Sequence, residues 1–349
     1  MGILRTLLAI SVLIAHSGSI FGIRLYDGNT AVILFFVISG FYMQLISKKY
    51  INTKYNWMDF YFSRLLRIYP YYIIVLLSTF IIPIILNFSY KDFGLTSYIV
   101  NNYHNLSFIS VIFIIFSNLF ILGMEWSFIF SIGSSGTEFI FNPMQGIPLW
   151  MFFPVGQAWS ISLELLFYGL FPLLVKLKTK NLFILLFCIY ILHFIIILYI
   201  PEIYNSGTHR FFLTALRFFL MGMLSCRLYS FITENKEQKF FILKIFVILL
   251  LLHLFFYALG FQEIYVILFA LFIPFLFHWT KKSSIDNYIG EYSFYIYIWH
   301  IFVLYTFRIY IEKGGAIIVL LFTIVLSYFT IKYISPYFES VRIKFGSRK

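Results

Sequence analysis

Charge is what this chain has least of. Only 11% of its 349 residues are Asp, Glu, Lys or Arg, less than half of the roughly 25% that an ordinary soluble domain carries. Cysteine is nearly absent. Cys188 and Cys226 each lie inside an apolar run, which excludes a disulfide framework or a cysteine metal cluster and leaves two small buried side chains. There is no glycine-rich phosphate loop, no HExxH helix and no GxSxG elbow, so P-loop, zincin and α/β-hydrolase chemistry are set aside. The histidines are too scattered for a metal site, and none is expected.

Apolar residues fill the space instead. The chain is 61% hydrophobic and 23% aromatic, with 46 Phe and 27 Tyr. A soluble fold of this length cannot bury that much apolar surface, whereas a bilayer covers it. The sequence reads as an all-α polytopic membrane protein. Its net charge of +12 then reports cytoplasmic loops rather than nucleic-acid binding. The first segment, GILRTLLAISVLIAHSGSIFG, has the outline of a signal peptide. It shows no convincing small-residue cleavage site and further spans follow, so a retained helix is expected.

A spanning helix needs about 20 mostly apolar residues. Eleven stretches qualify as candidates: 3–23, 30–46, 68–88, 108–130, 159–175, 181–199, 209–229, 240–259, 263–279, 291–311 and 314–334. Basic residues cluster between them: Lys48, Lys49, Lys54, Arg64 and Arg67; Lys176, Lys178 and Lys180; Arg227, Lys236 and Lys239; Lys281 and Lys282; and the tail RIKFGSRK. All five clusters belong in the cytoplasm by the positive-inside rule. Eleven full crossings cannot satisfy that rule, because 89–158 must begin and end on the outer side. The stretch 108–130 is therefore expected to be re-entrant or interfacial. This leaves about ten transmembrane helices with both termini cytoplasmic. The segment GSSGTEFIFNPMQGIP reads as loop. No internal repeat or separate soluble domain is visible, so residues 1–349 form one integral-membrane domain.

Ionisable residues inside such helices are expensive and mark candidate sites. Arg5 and His16 are eleven residues apart in the first span. On a helix that is about 16 Å along the axis and nearly the same azimuth. His16 suits a general base, or a histidine satisfied by a neighbouring hydroxyl. In FYFSRLLRIYP, Arg64 and Arg67 share a helix face at the mouth of a span. Paired guanidiniums suit phosphate, or simply obey the topology rule. Glu164 in GQAWSISLELLFYGLFPLL, about five residues into an otherwise apolar helix, needs a partner or a proton. It can orient a histidine, bind an acceptor hydroxyl or pair with an arginine, and Trp159 beside it is placed at the outer interface. Arg217 lies mid-span and demands a counter-ion, for which Glu164 is a candidate; an ion pair and a substrate contact are both open. In IGEYSFYIYIWHIFVLY, Glu291 and Ser293 open a helix that carries His300 near its middle. His193 and His253 fall in spans without patterned neighbours.

Taken in order, these segments resemble the acyltransferase 3 family of integral-membrane acyltransferases. RTLLAISVLIAH carries the family's arginine, ten residues, histidine pattern in Arg5 and His16. LFFVISGF matches its phenylalanine-rich second helix ending in Ser-Gly-Phe. SRLLRIYP matches its arginine motif, with Ser63 where family members often have an arginine. WSISLELLFYGLFP keeps Trp159, Glu164, Tyr168 and Pro172, and GEYSFYIYIWH keeps Gly290, Ser293, Tyr297 and His300. The resemblance implies about ten crossings and transfer of an acyl group from cytoplasmic acyl-CoA to an outer acceptor, commonly a sugar hydroxyl. It implies that Arg64 and Arg67 hold the nucleotide or pyrophosphate of CoA, that Arg5 guides the donor and that His16 is the catalytic base. Glu164 would orient His16 or the acceptor, and Arg217 could stabilise oxyanion charge. Acetyl-CoA leads as donor, with no permanently bound cofactor. The acceptor would be a surface glycan or lipid-linked saccharide at a bacterial cytoplasmic membrane, amid membrane lipid. No extra esterase-like domain follows the last helix, so the chain is expected to act alone or hand the group to a separate protein. The rival function is a transporter or flippase for a lipid-linked saccharide.

Overall fold

The computed structural model describes residues 1–23, 25–51, 57–86, 96–132, 139–140, 146–200, 207–234, 239–308 and 315–346. Its longer helices are α1 (Gly2–Ser17), α2 (Gly28–Ile46), α3 (Trp57–Ile85), α4 (Phe108–Phe120), α5 (Trp159–Leu174) and α6 (Thr179–Tyr199). They continue with α7 (Phe212–Glu234), α8 (Lys239–Ala258), α9 (Gln262–Thr280), α10 (Ser284–Arg308), α11 (Gly315–Phe329) and α12 (Ser335–Gly346). A π-helical turn, Thr330–Ile334, joins α11 to α12 without a break. Among the described residues, seven stretches are long and apolar enough to cross a bilayer: those of α2, α3, α5, α6, α7, α9 and the joined α11–α12. The chain is an all-α, multi-pass membrane protein. Three short antiparallel strands, β1 (Ser131–Ile132), β2 (Phe139–Ile140) and β3 (Ile147–Pro148), add a small sheet in the order β2-β1-β3.

Several expected boundaries move, each for a local reason. α1 stops at Ser17, short of residue 23, because Gly18 at φ 100° turns the chain out of the helix. α3 starts at Trp57, eleven residues before the expected 68. It runs through Pro70 and Pro83, so Arg64 and Arg67 lie inside a helix and not in a loop. α4 has 13 residues and ends where Ile121 (φ 67°) and Gly123 (φ 87°) turn left-handed. Its length of about 20 Å is less than a hydrocarbon core of about 30 Å. α10 begins at Ser284, which puts Glu291 and Ser293 in its interior rather than at its start. Cys188 is exposed on α6, and only Cys226 is buried. Lys54, Lys236 and most of the GSSGTEFIFNPMQGIP loop lie outside the described residues.

Helices in lipid have no water to expel and associate through close packing, which favours small residues at contacts. Two glycine pairs use this. A Cβ on Gly40 of α2 would lie 2.0 Å from the Phe219 carbonyl oxygen of α7, and one on Gly222 of α7 would lie 2.0 Å from that of Val37. A Cβ on Gly290 of α10 would lie 2.5 Å from the Gly2 Cα of α1. Asp286 then caps α1 from outside: its carboxylate accepts from the Gly2 and Ile3 backbone N–H groups at 2.6 and 3.0 Å, and pairs with the Met1 ammonium at 2.6 Å. Those are donors that a helix start otherwise leaves unpaired. The result fixes α1 against α10 and α2 against α7, with α5 closing the space between.

Candidate active site

Helices α1, α2, α5 and α10 line two chambers that lie end to end, and α3 adds Arg64, Arg67 and Ile68 to the first. The first has a volume of about 360 Å³ and is lined by Arg5, Arg64, Arg67, Glu164 and Ser293 among others. The second, about 810 Å³, is lined by His16, Arg210 and an aromatic wall that includes Phe128, Trp150 and Trp159. Val32 and Tyr297 line both. The order of residues along the helices aligns the chambers. α1 passes from Arg5 to His16, and α10 from Ser293 through Tyr297 to Tyr305. α2 and α5 run the opposite way, from Asn29 to Ile46 and from Trp159 to Tyr168.

The arginine chamber is cationic and under-paired. Arg64 is 8% exposed, and its Nη2 reaches the neighbouring Ser63 Oγ at 3.5 Å. Arg5 donates from Nη2 to the Gly290 carbonyl at 3.0 Å and lies 5.5 Å over the Tyr42 ring. The Nε groups of Arg5 and Arg64 are buried without a partner. Among the described residues, no carboxylate lies within ion-pair distance of Arg5, Arg64 or Arg67. Glu164 shares the chamber, but its Oε1 accepts from Ser39 Oγ at 2.7 Å and from the Tyr168 hydroxyl. Three guanidiniums drawn together without counter-ions are costly. They suit an anion with several oxygens, which accepts forked hydrogen bonds.

The histidine chamber has different chemistry. His16 sits in the last turn of α1, exposed to the cavity. Its ring lies 5.4 Å from that of His300, centroid to centroid, at a 36° tilt. His300 is buried, with Nδ1 2.6 Å from the Tyr297 carbonyl oxygen. A carbonyl only accepts, so Nδ1 carries a proton, and in the neutral ring Nε2 presents a lone pair. That Nε2 is buried without a partner. His16 is thus backed by an imidazole whose Nδ1 proton is fixed by a backbone carbonyl, an arrangement suited to proton transfer.

Tyr297 forms the partition. Its hydroxyl lies 3.0 Å from the Gln157 carbonyl oxygen and 2.6 Å from Ser160 Oγ, in hydrogen-bond contact with both. Gln157 in turn donates from Nε2 to the Ile298 carbonyl at 2.7 Å. One turn of α10 is thereby fixed to the start of α5.

An acyltransferase-domain family profile matches residues 1–332, spanning every residue of both chambers. The chain belongs to the acyltransferase 3 family. It is a membrane acyltransferase, and the arginine, Ser-Gly-Phe, Trp/Glu and Tyr/His segments that carried the resemblance meet around the two chambers. Comparison with curated proteins and with solved structures returns no match.

Within this acyltransferase, Arg5, Arg64, Arg67, Glu164 and Ser293 converge on one chamber, while His16 lines the other and His300 packs behind it. Ser293 donates to the Gly290 carbonyl at 2.8 Å, on the peptide that also holds Arg5. Glu164 and His16 are not brought together, and His300 is the ring against His16. Arg217 joins neither chamber. Its counter-ion is Glu263 at 3.0 Å, not Glu164; it also donates to the Thr214 carbonyl at 2.7 Å. Glu263 further accepts from the Tyr190 hydroxyl at 2.7 Å and lies 3.9 Å from His193 Nε2. His253 is held between the Tyr26 hydroxyl (2.7 Å) and the Tyr265 carbonyl (2.9 Å). Trp159 packs inside the protein. It is buried with its ring edge-on to Phe128, 5.8 Å away. Among the described residues no cluster of three metal-ligating side chains occurs.

Sequence reasoning missed Arg210 and Glu125. Glu125 is buried and accepts from Ser162 Oγ. Arg210 lies in a short turn, Thr208–Arg210, with no helical periodicity to flag it.

Proposed function

We propose that this acyltransferase moves an acyl group, acetyl in the simplest case, from cytoplasmic acyl-CoA to a hydroxyl of a surface or lipid-linked polysaccharide sugar on the far side of a bacterial cytoplasmic membrane. The supporting observation is the pair of aligned chambers, one cationic without counter-ions and one carrying an exposed histidine, with Val32 and Tyr297 common to both. In this reading the bundle crosses the bilayer about ten times as one domain with both termini cytoplasmic. α4 lies within the membrane without crossing. Arg64 and Arg67 hold the donor's phosphates and Arg5 guides its arm. The distance of about 16 Å from Arg5 to His16 is covered by the extended pantetheine chain, which presents the thioester past Tyr297.

His16 takes the proton of the acceptor hydroxyl as its oxygen attacks the thioester carbonyl. The C–O bond forms, the C–S bond breaks and the CoA thiolate leaves, to be protonated in turn. His300 acts as a positioning residue for His16. Glu164 fixes Tyr168 and Ser39 on the donor side.

The test is the O-acyl content of isolated surface polysaccharide from cells with the intact gene, a deletion, and His16→Ala at equal membrane levels. Loss of O-acyl groups in both mutants with sugar export unchanged is the expected result. Normal acylation with reduced export would instead identify a saccharide flippase.

A further inference from the structure

We infer that the histidine chamber is built for an acceptor that carries a negative charge, a carboxylated or phosphorylated saccharide whose anionic group is held by Arg210. This rests on the proposed function and names the class of its acceptor.

Arg210 is a cation that the donor chemistry and the His16–His300 pair leave unused. Its guanidinium carbon lies 4.2 Å from the Phe128 ring centroid and 5.5 Å from that of Trp159. Stacking of this kind stabilises the cation and leaves the donors at the edge of its plane available. One donor, Nη2, reaches the neutral Asn29 Oδ1 at 3.3 Å. Nε is buried without a partner. Among the described residues no carboxylate lies within ion-pair distance of it. Asp27, the acidic residue that also lines the chamber, is engaged as the cap of α2, with Oδ1 accepting from the Thr30 N–H at 3.0 Å.

The turn that presents Arg210 is anchored. Gly207 at φ 91° admits the bend, and a Cβ there would lie 2.7 Å from the His209 ring. His209 is buried edge-on against Trp159 at 5.8 Å. Arg210 is therefore held in place before any ligand arrives. Around it, Tyr98, Trp150 and Tyr305 supply further ring surfaces, the kind of lining that takes the flat C–H faces of sugars. The chamber's volume of about 810 Å³ lies in the range of sites that enclose small organic ligands. A fixed, unpaired, planar cation on an aromatic wall beside the candidate base selects a saccharide with a carboxylate or phosphate. That anion would arrive on an acidic sugar or on the phosphate of a lipid carrier.

The experiment uses the full chain in lipid nanodiscs. Tryptophan fluorescence, to which Trp150 and Trp159 contribute from the chamber wall, is titrated with glucuronate, glucose 1-phosphate and glucose. The expected result is that at least one anion binds tenfold or more tighter than glucose. The stronger anion separates a carboxylated sugar from a phosphate carrier. Added salt should weaken the anion alone. Arg210→Gln should abolish the preference, and Arg210→Lys should keep part of it. Equal affinity for all three sugars, or no binding of any, would overturn the inference. So would an equal loss for neutral and charged sugars in Arg210→Gln, which would place Arg210 on the reacting oxygen instead. Thiol release from acetyl-CoA in the same nanodiscs is read separately. If the anion preference persists while no acceptor releases thiol, the transfer reading fails and the anion site stands.

Discussion

Arg64 and Arg217 are both guanidiniums on apolar helices, 8% and 1% exposed, yet the fold treats them oppositely. Arg217 has a carboxylate at 3.0 Å and a backbone carbonyl at 2.7 Å, and lies outside both aligned chambers. Arg64 has a weak contact with its neighbour's hydroxyl, an orphaned Nε, and a cavity in front of it. A buried charge that is paired is a structural part. A buried charge that is unpaired and faces a cavity is half of an interaction whose other half is a ligand. Arg5, Arg67 and Arg210, half-buried and with no carboxylate in ion-pair distance among the described residues, fall on the Arg64 side of this division.

Four single substitutions and one rescue break or sharpen the contrast. The largest effect is expected at His16, which in the proposed mechanism carries the chemistry and none of the charge balance. His16→Ala should lower kcat about 100- to 10,000-fold with the melting temperature unchanged. Arg217→Met comes next and acts on stability. Leaving Glu263 without its partner should cost about 3 kcal/mol, the low end for a broken buried pair, since Glu263 is 36% exposed. Adding Glu263→Leu should recover most of that in thermal melts, with KM for the donor unchanged throughout. Arg64→Gln should do the reverse. The donor's KM should rise about tenfold to a hundredfold, the worth of a charge-assisted hydrogen bond, while stability holds or improves as repulsion in the chamber is relieved. If Arg64→Gln destabilises the protein as Arg217→Met does, the division between the two arginines fails. The smallest effect is expected at the partition. Tyr297→Phe removes the hydroxyl between Gln157 and Ser160 and should cost about 1 kcal/mol of stability, with both KM values within a few-fold of wild type.

Much of this site is legible in the sequence, because its residues lie at short helical spacings. Arg5 and His16 share a face of α1, Arg64 and Arg67 share a face of α3, and Ser293, Tyr297 and His300 mark successive levels of α10. What a spacing cannot reveal is which segment faces which. The His16–His300 contact joins the two ends of the chain, and Glu263 meets Arg217 across 46 residues. Arg210 has its hydrogen-bond partner 181 residues away. Hydropathy also misplaced the start of α3: Asp59, Ser63, Arg64 and Arg67 dilute the apolar run over its first turns, in which Phe60, Ser63 and Arg64 are buried. The glycines that set the α1–α10 and α2–α7 contacts are visible as letters. Their role emerges only when the opposing carbonyls and Cα atoms are in place.

The separation of donor binding from chemistry is the central claim, and CoA binding tests it most directly. Calorimetric titration of CoA into the purified protein should show normal affinity in His16→Ala. It should show affinity weakened at least tenfold in Arg64→Gln/Arg67→Gln. Loss of CoA binding in His16→Ala, or unchanged binding in the double arginine variant, would contradict the assignment of the two chambers.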